Sequence, residues 1–308
     1  MSEHLASDRA RALRIPLFAG AGDSLTLDRL GGLTNRNYRI DWQGKSYVLR
    51  IPGEGTSEYI DRKAEAQNAR IASDANVNAP LAFFDPVDGA MVTGFIDGGI
   101  TMNGEKFKQR GRPTRAAVAL RAMHEWPDTF ATRFELFAQI DTYLDLLRKK
   151  NATIPDGYDA VQKEAEQVRA ALNARPAKLV PCHCDPLSEN FLDTGERMWV
   201  VDWEYAGNND PMWDLGDVSV EAGFDDAQDT EMMEAYFNGR PPADQVGRMV
   251  MYKAMCDLLW TLWGVIQHVN QNPVDDFWAY ATNRFARCQR LMGQRDFGRH
   301  LDAVRRGG

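Results

Sequence analysis

His183, Asp185 and Asn190, followed by Asp202, stand in the order H-x-D-x-x-x-x-N…D. An Asp in the second place can orient a hydroxyl group and accept its proton. An amide oxygen and a carboxylate in the last two places can hold magnesium, which neutralises the phosphates of ATP. The spacing points to phosphoryl transfer, with Asp185, Asn190 and Asp202 as catalytic candidates. Asn190 and Asp202 are the candidate metal ligands, and ATP and Mg2+ the implied cofactors. His183 is read as a brace for the loop and not as the base.

A β-hairpin must position these groups. Phe191-Leu192 is a short apolar run, Asp193-Thr194-Gly195-Glu196 a turn cluster, and residues 198–201 a second apolar run. Asn190 then precedes the first strand and Asp202 follows the second. In an antiparallel pair both lie at the open end, roughly 5 Å apart if directly opposite. Polar residues at a hairpin's open end are common. The weight comes from the ordered set, with an apolar strand directly before the second Asp.

Upstream, residues 25–30, 37–42 and 46–51 alternate as three strands of a meander, and residues 80–84 and 90–95 read as two more. Residues 59–72 form a helix between the two groups, and residues before 22 read as a helical or irregular lead-in. Ile96-Asp97-Gly98-Gly99 is a hinge. Beyond it the pattern is mainly helical, over 113–124, 134–150, 157–173, 213–222, 230–237, 245–270 and 273–292. This predicts an α+β chain with a small antiparallel β-rich lobe at 1–95 and a larger, mainly helical lobe at 96–308. A cleft is expected between them.

The supporting residues follow from that frame. Glycines in Gly31-Gly32-Leu33-Thr34-Asn35 permit backbone N–H groups to approach phosphate; alone, the segment reads more readily as a plain hairpin turn, and its position ahead of the third strand shifts that weighting. Arg50, late in the third strand, stands where a nucleotide-clamping cation is expected, with Glu65 on the next helix to hold it. The bland alternative is an exposed strand Arg and a solvated helix Glu. Asp214, Asp217 and Glu221 share one helical face, as do Trp260 and Trp263, and Trp278 and Tyr280 follow on the next helix. Aromatics at helical spacing are usually core, yet indole faces beside carboxylates suit a quaternary ammonium group.

Composition limits the alternatives. The 308 residues are 44% hydrophobic and 26% charged, ordinary globular values, and the net charge is −8. That balance disfavours nucleic-acid or anionic-membrane binding. Four cysteines are too few for a disulfide scaffold and suggest a reducing compartment. Cys182-His183-Cys184 cannot easily wrap one tetrahedral ion. No signal peptide is read at the N-terminus, and the apolar run at 258–266 is too short to span a bilayer. A cytoplasmic location without membrane insertion is expected.

Taken together the residues resemble the choline/ethanolamine kinase family, within the aminoglycoside phosphotransferase-like, protein-kinase-like superfamily. The resemblance runs from about residue 30 to 285. It rests on the Gly31–Asn35 turn, Val48-Leu49-Arg50-Ile51-Pro52-Gly53, His183-Cys184-Asp185…Asn190, Val201-Asp202-Trp203-Glu204-Tyr205-Ala206-Gly207, Trp213-Asp214-Leu215 and Leu259-Trp260-Thr261-Leu262-Trp263. It implies a two-lobe kinase that moves the γ-phosphate of ATP to a small amino-alcohol, most simply choline. Asp185 would be the base, Asn190 and Asp202 the magnesium ligands. Gly32, Thr34, Asn35, Arg50 and Glu65 would bind nucleotide. Asp185, Glu204, Glu221, Trp260, Trp263 and Tyr280 would form the acceptor site. Phe277 stands where members often carry another tyrosine, so the head group is open. Ethanolamine, thiamine, a sugar or an aminoglycoside are the alternative acceptors, and a silent nucleotide-binding protein is the alternative class. The oligomeric state is open, a homodimer included.

Overall fold

The computed structural model describes residues 4–32, 35–53, 55–56 and 60–307. Helix α1 (Leu5–Ala12) leads into strands β1 (Asp28–Arg29), β2 (Arg36–Trp42) and β3 (Lys45–Ile51). Helix α2 (Arg62–Asp74) follows, then β4 (Leu81–Phe84) and β5 (Met91–Gly94). The five strands form one antiparallel sheet in the order β1-β2-β3-β5-β4. The expected meander holds for the first three, and β4 takes the far edge. Alternation decides the faces: Tyr38 and Ile40 are buried while Asp41 is exposed. Tyr38, Ile40, Leu49 and Val92 close a core with Ala12, Ile15, Phe18 and Leu25. The lead-in is therefore half of the small core. Asp61 caps α2 by accepting the N–H groups of Lys63 and Ala64.

The chain then crosses to a second, mainly helical region. Its elements are β6 (Ile100–Thr101), α3 (Gly104–Phe107), α4 (Arg112–His124), α5 (Leu136–Lys149) and α6 (Tyr158–Ala174), followed by β7 (Val180–Cys182), β8 (Phe191–Asp193), β9 (Met198–Val200) and β10 (Gly207–Asn209). They end with α7 (Pro211–Ala222), α8 (Asp226–Phe237), α9 (Ala243–Val269), α10 (Phe277–Met292) and α11 (Phe297–Arg306). Two small sheets support the chemistry: β6-β8-β9, and β7 paired with β10. Sequence patterning finds none of β6, β7 or β10, because strands of two or three residues carry no measurable period; it misses the ten-residue helix α11 as well, although its apolar stripe is there to be read.

A larger hydrophobic cluster fills this region, and it also takes in Ala72 and Val77 from α2 and the turn after it. Val77 accepts the N–H of Val200 on the hairpin at 3.0 Å. The α2 end is thus packed into the larger core. We propose the division at 95/96 for chain order alone, since the larger core takes in Ala72 and Val77 from before it. Helix α9 has 27 residues and is long and apolar enough to cross a membrane by length and composition, beyond the nine-residue run read from sequence. Most of its surface is buried against other helices of the same region, which is how a central core helix is built.

Candidate active site

The loop after β7 carries Asp185. The Asp214 carboxylate at the start of α7 accepts the backbone N–H of His183 at 2.7 Å and of Cys184 at 2.9 Å. His124 Nε2 lies 3.0 Å from the same carboxylate, and Trp213 Nε1 donates to the Cys184 carbonyl at 3.1 Å. Cys184 is held at φ +68°, a left-handed conformation costly for a side-chain-bearing residue. Asp214, read from sequence as part of an acidic face toward the acceptor, is instead a fully buried anchor for this loop.

His183 is also structural. Its Nε2 lies 2.9 Å from the Val201 carbonyl and its Nδ1 accepts the Asp185 N–H at 3.3 Å. Those partners fix the neutral tautomer protonated at Nε2. Burial lowers its proton affinity further. The ring packs on Trp203, with centroids 4.7 Å apart.

The hairpin forms as expected, with one difference in register. Phe191 pairs with Val200, and the Val201 N–H donates to the Asn190 carbonyl at 2.9 Å. Asn190 therefore faces Val201, and Asp202 stands one residue further on. Asp202 sits at φ +69°, so the chain bends sharply where the strand ends. The Asn190 Nδ2 donates to the Asp185 carbonyl at 3.0 Å. That hydrogen bond ties the two loops and leaves the amide oxygen as the free end.

Across from the hairpin stands Arg50, buried on β3. It pairs with Glu65 of α2, lies 3.2 Å from Asp202 Oδ1 and 4.0 Å from Glu204, and donates to the Gly89 carbonyl at 3.1 Å. Despite burial, its carboxylate partners raise its already high proton affinity. Arg62, missed in the sequence reading, bridges Glu65 at 2.6 Å and Glu204 at 3.4 Å. Its place three residues before Glu65 was the available signal. Asn35 is buried and its Nδ2 reaches Asp202 and Glu204, each at 3.4 Å, while its Oδ1 accepts the Gly53 N–H. It thus touches the carboxylates of the hairpin. Burial and the neighbouring Asp202 push the Glu204 carboxyl up to about 7, against the pull of Arg50. Gly32 is exposed at φ +146°, and a Cβ there would strike the Asn35 carbonyl. Thr34 lies outside the described residues.

The far wall is aromatic. Trp263 meets Phe277 and Tyr280 edge-on, at 5.6 and 5.7 Å, and Tyr205 meets Trp260 edge-on at 5.4 Å. Neither indole N–H of Trp260 or Trp263 has a hydrogen-bond partner among the described residues. Trp278 turns away and packs on His268. Arg284, one helical turn beyond Tyr280, stacks over that ring at 4.8 Å, pairs with Glu221, and lies 3.2 Å from Asp257. Glu221 therefore already has a cation. Asp185 is pushed well above the usual carboxylate range by burial first, then by Asp217, Glu221, Asp202 and Glu204. The negative neighbours that act on Asp185 come from both α7 and the hairpin. The site residues expected from sequence thus divide into two groups. Asn35, Arg50, Glu65, Asp202 and Glu204 join in one polar network. Glu221, Trp260, Trp263 and Tyr280 gather on the side of α7, α9 and α10.

A small antiparallel sheet, a helical region and an Asp-loop hairpin between them define a phosphotransferase of the protein-kinase-like class. The model of the phosphotransferase enzyme family matches residues 27–246, and the chain belongs to that family. A choline/ethanolamine kinase family protein from Mesorhizobium loti is 55% identical, with a TM-score of 0.88 over 98% of this chain and 99% of that one. Choline kinase LicA from Streptococcus pneumoniae is 26% identical, with a TM-score of 0.79 over 93% of this chain and 99% of that one. A LicA structure in complex with AMP, also 26% identical, has a TM-score of 0.71 over 91% and 92%. The chain is thus a choline/ethanolamine kinase-like phosphotransferase.

Proposed function

We propose that this protein transfers the γ-phosphate of ATP to the hydroxyl of choline or a closely related amino-alcohol. The observation that carries the reading is the aromatic cluster of Trp263, Phe277 and Tyr280, whose Tyr280 has Glu221 and Asp185 as neighbours, with Trp260 one turn before Trp263 on α9 and packed on Tyr205. Aromatic faces with nearby negative charge attract a quaternary ammonium, and such a wall would leave its hydroxyl end free to face the catalytic loop. The resemblance to a choline kinase points the same way.

In this reading Asp185 orients the acceptor hydroxyl and takes its proton. The donors suit magnesium: Asp202 offers a carboxylate whose distances to Arg50 and Asn35 are long, and Asn190 offers the amide oxygen left free by its Nδ2. When bound, magnesium supplies the positive charge that neutralises the phosphates. Arg50, held by Glu65, reaches toward the phosphates from β3. Hydrogen bonds accepted by Asp214 and donated by Asn190 fix the backbone beneath Asp185, so catalysis is chiefly positioning.

The test is ATP consumption over a panel of choline, ethanolamine, thiamine, sugars and aminoglycosides. Choline or a near relative is expected to give the highest kcat/KM, and Asp185→Asn to lower kcat by about a hundred- to ten-thousand-fold with ATP affinity retained. Wild-type turnover in that variant sinks the role of Asp185. A Trp260→Ala, Trp263→Ala double variant is expected to raise the choline KM by about thirty-fold for each indole face removed, at about 2 kcal/mol apiece. An unchanged KM removes the aromatic wall from the acceptor site.

A further inference from the structure

Asp217 lies on α7 with no exposed surface, and neither carboxyl oxygen has a hydrogen-bond partner among the described residues. The nearest donor is the weak thiol of Cys256 on α9. A carboxylate in that position is not stable as an isolated charge, so it holds a proton until a cation comes near. Its surroundings are acidic. From α7 it faces Glu221 and Asp214, and from the catalytic loop Asp185 and Cys184. Helix α10 supplies two cations: Arg284, shared among Glu221, Asp257 and the Tyr280 ring, and Arg287, whose fork is taken up by Asp257.

Other charges packed against α7 are already matched. Asp229 of α8 is tied to Ser219 and Lys253, and His124 of α4 to Asp214. Lys106 of α3 donates to the Thr101 carbonyl, and Glu105 pairs with Lys108. Cys182 of β7 donates to the Asn209 carbonyl. Glu189, beside the loop, is a further negative group acting on Glu221's side. Around Asp217 there are thus more acids than cations.

We propose that Asp217 is a specificity residue of the acceptor site: it is neutral in the empty enzyme, and loses its proton to solvent as a cationic head group enters beside it. This rests on the amino-alcohol reading above and deepens it. Glu221, already paired, supplies less of the counter-charge than its position suggests, and Asp217 supplies the remainder. The O–H bond of Asp217 breaks, the proton leaves to water, and the resulting carboxylate faces the ammonium. Selection of a charged over an uncharged acceptor of the same shape follows from that exchange.

The experiment compares choline with its carbon isostere, in which a tert-butyl group replaces trimethylammonium. Both are assayed as acceptors with wild-type enzyme and Asp217→Asn. The wild type is expected to prefer choline, and the variant to lose that preference by roughly thirty-fold. Calorimetry in buffers of different ionisation heat is expected to show proton release on choline binding, about one proton smaller in the variant. An unchanged preference or an unchanged release overturns the inference. Should Asp217→Asn fail to fold, Cys256→Ser serves. Its stronger hydroxyl donor holds Asp217 ionised beforehand, so release is expected to fall, and release equal to wild type overturns the inference. A wild type that accepts no cationic amino-alcohol refutes the function itself, and the inference with it. A choline-preferring wild type with a variant that keeps the same preference refutes the inference alone.

Discussion

Asp214 and Asp217 stand one helical turn apart on α7, both without exposed surface, and their surroundings give them opposite work. Asp214 accepts two backbone N–H groups and meets His124, so its oxygens find their partners within the protein. Asp217 has no such partners. Asp214→Ala would leave two buried N–H groups without acceptors, and we expect a loss of about 3 kcal/mol in stability by urea denaturation. A loss within about 0.5 kcal/mol would show that the loop finds other acceptors. Because the same hydrogen bonds hold the backbone next to Asp185, kcat should fall more than the KM for either substrate.

At the scale of elements, the aromatic wall depends on how closely α10 approaches α9. Gly264 makes this approach possible: a Cβ there would lie 2.7 Å from the Tyr280 ring and 3.1 Å from Ala281. Helices that pack through a glycine come closer than their side chains otherwise allow. Gly264→Ala is therefore expected to displace Tyr280 from Trp263 and raise the choline KM several-fold, roughly the worth of one exposed aromatic face. The KM for ATP should not move, since the nucleotide residues lie on β3, α2 and the hairpin. Steady-state kinetics with each substrate varied separately checks both halves. Equal effects on the two KM values would mean that the substitution acts on folding and not on the wall.

For the molecule as a whole, carboxyl groups hold the two regions together. Arg50 on β3 reaches Asp202, Arg62 on α2 reaches Glu204, and Asn35 reaches both. Several of the central acids bind protons more tightly than usual. Asp185 and Asp217 are raised well above the ordinary value, and Glu204 rises from 4.5 to about 7. A raised carboxyl pKa means that the folded state binds more protons than the unfolded state. Its contribution is then greatest at low pH and is lost as pH rises through the folded value. We expect Tm, measured without nucleotide or metal, to fall between about pH 5 and pH 8. Magnesium with ATP should restore it, because a bound cation takes the place of the protons. The lowered acids Asp8, Asp88 and Asp193 act in a separate, more acidic window, where their ion pairs are lost as pH falls. A Tm that rises steadily from pH 5 to pH 8 would contradict this balance of groups.

Much of the site is local in sequence. The catalytic loop and hairpin span only 20 residues from His183 to Asp202, so spacing alone brings Asp185, Asn190 and Asp202 near one strand end. Strand alternation and helical periodicity set the β-rich beginning and helical remainder, because each period reports which face of one element is apolar. Spacing could not decide what faces each element. It put Asp214 and Asp217 on the same stripe, and only packing showed that one meets the loop backbone and the other meets other acids. It placed Arg50 near Glu65 but did not show that Asp202 and Glu204 would share it, nor that Arg62 would join. It left Arg284 unnoticed, although that residue stands between Glu221 and the aromatic wall. A pattern along the chain fixes the direction of a side chain from its own element; the partner in that direction is chosen by the packing of distant segments, and with it the charge state on which the chemistry depends.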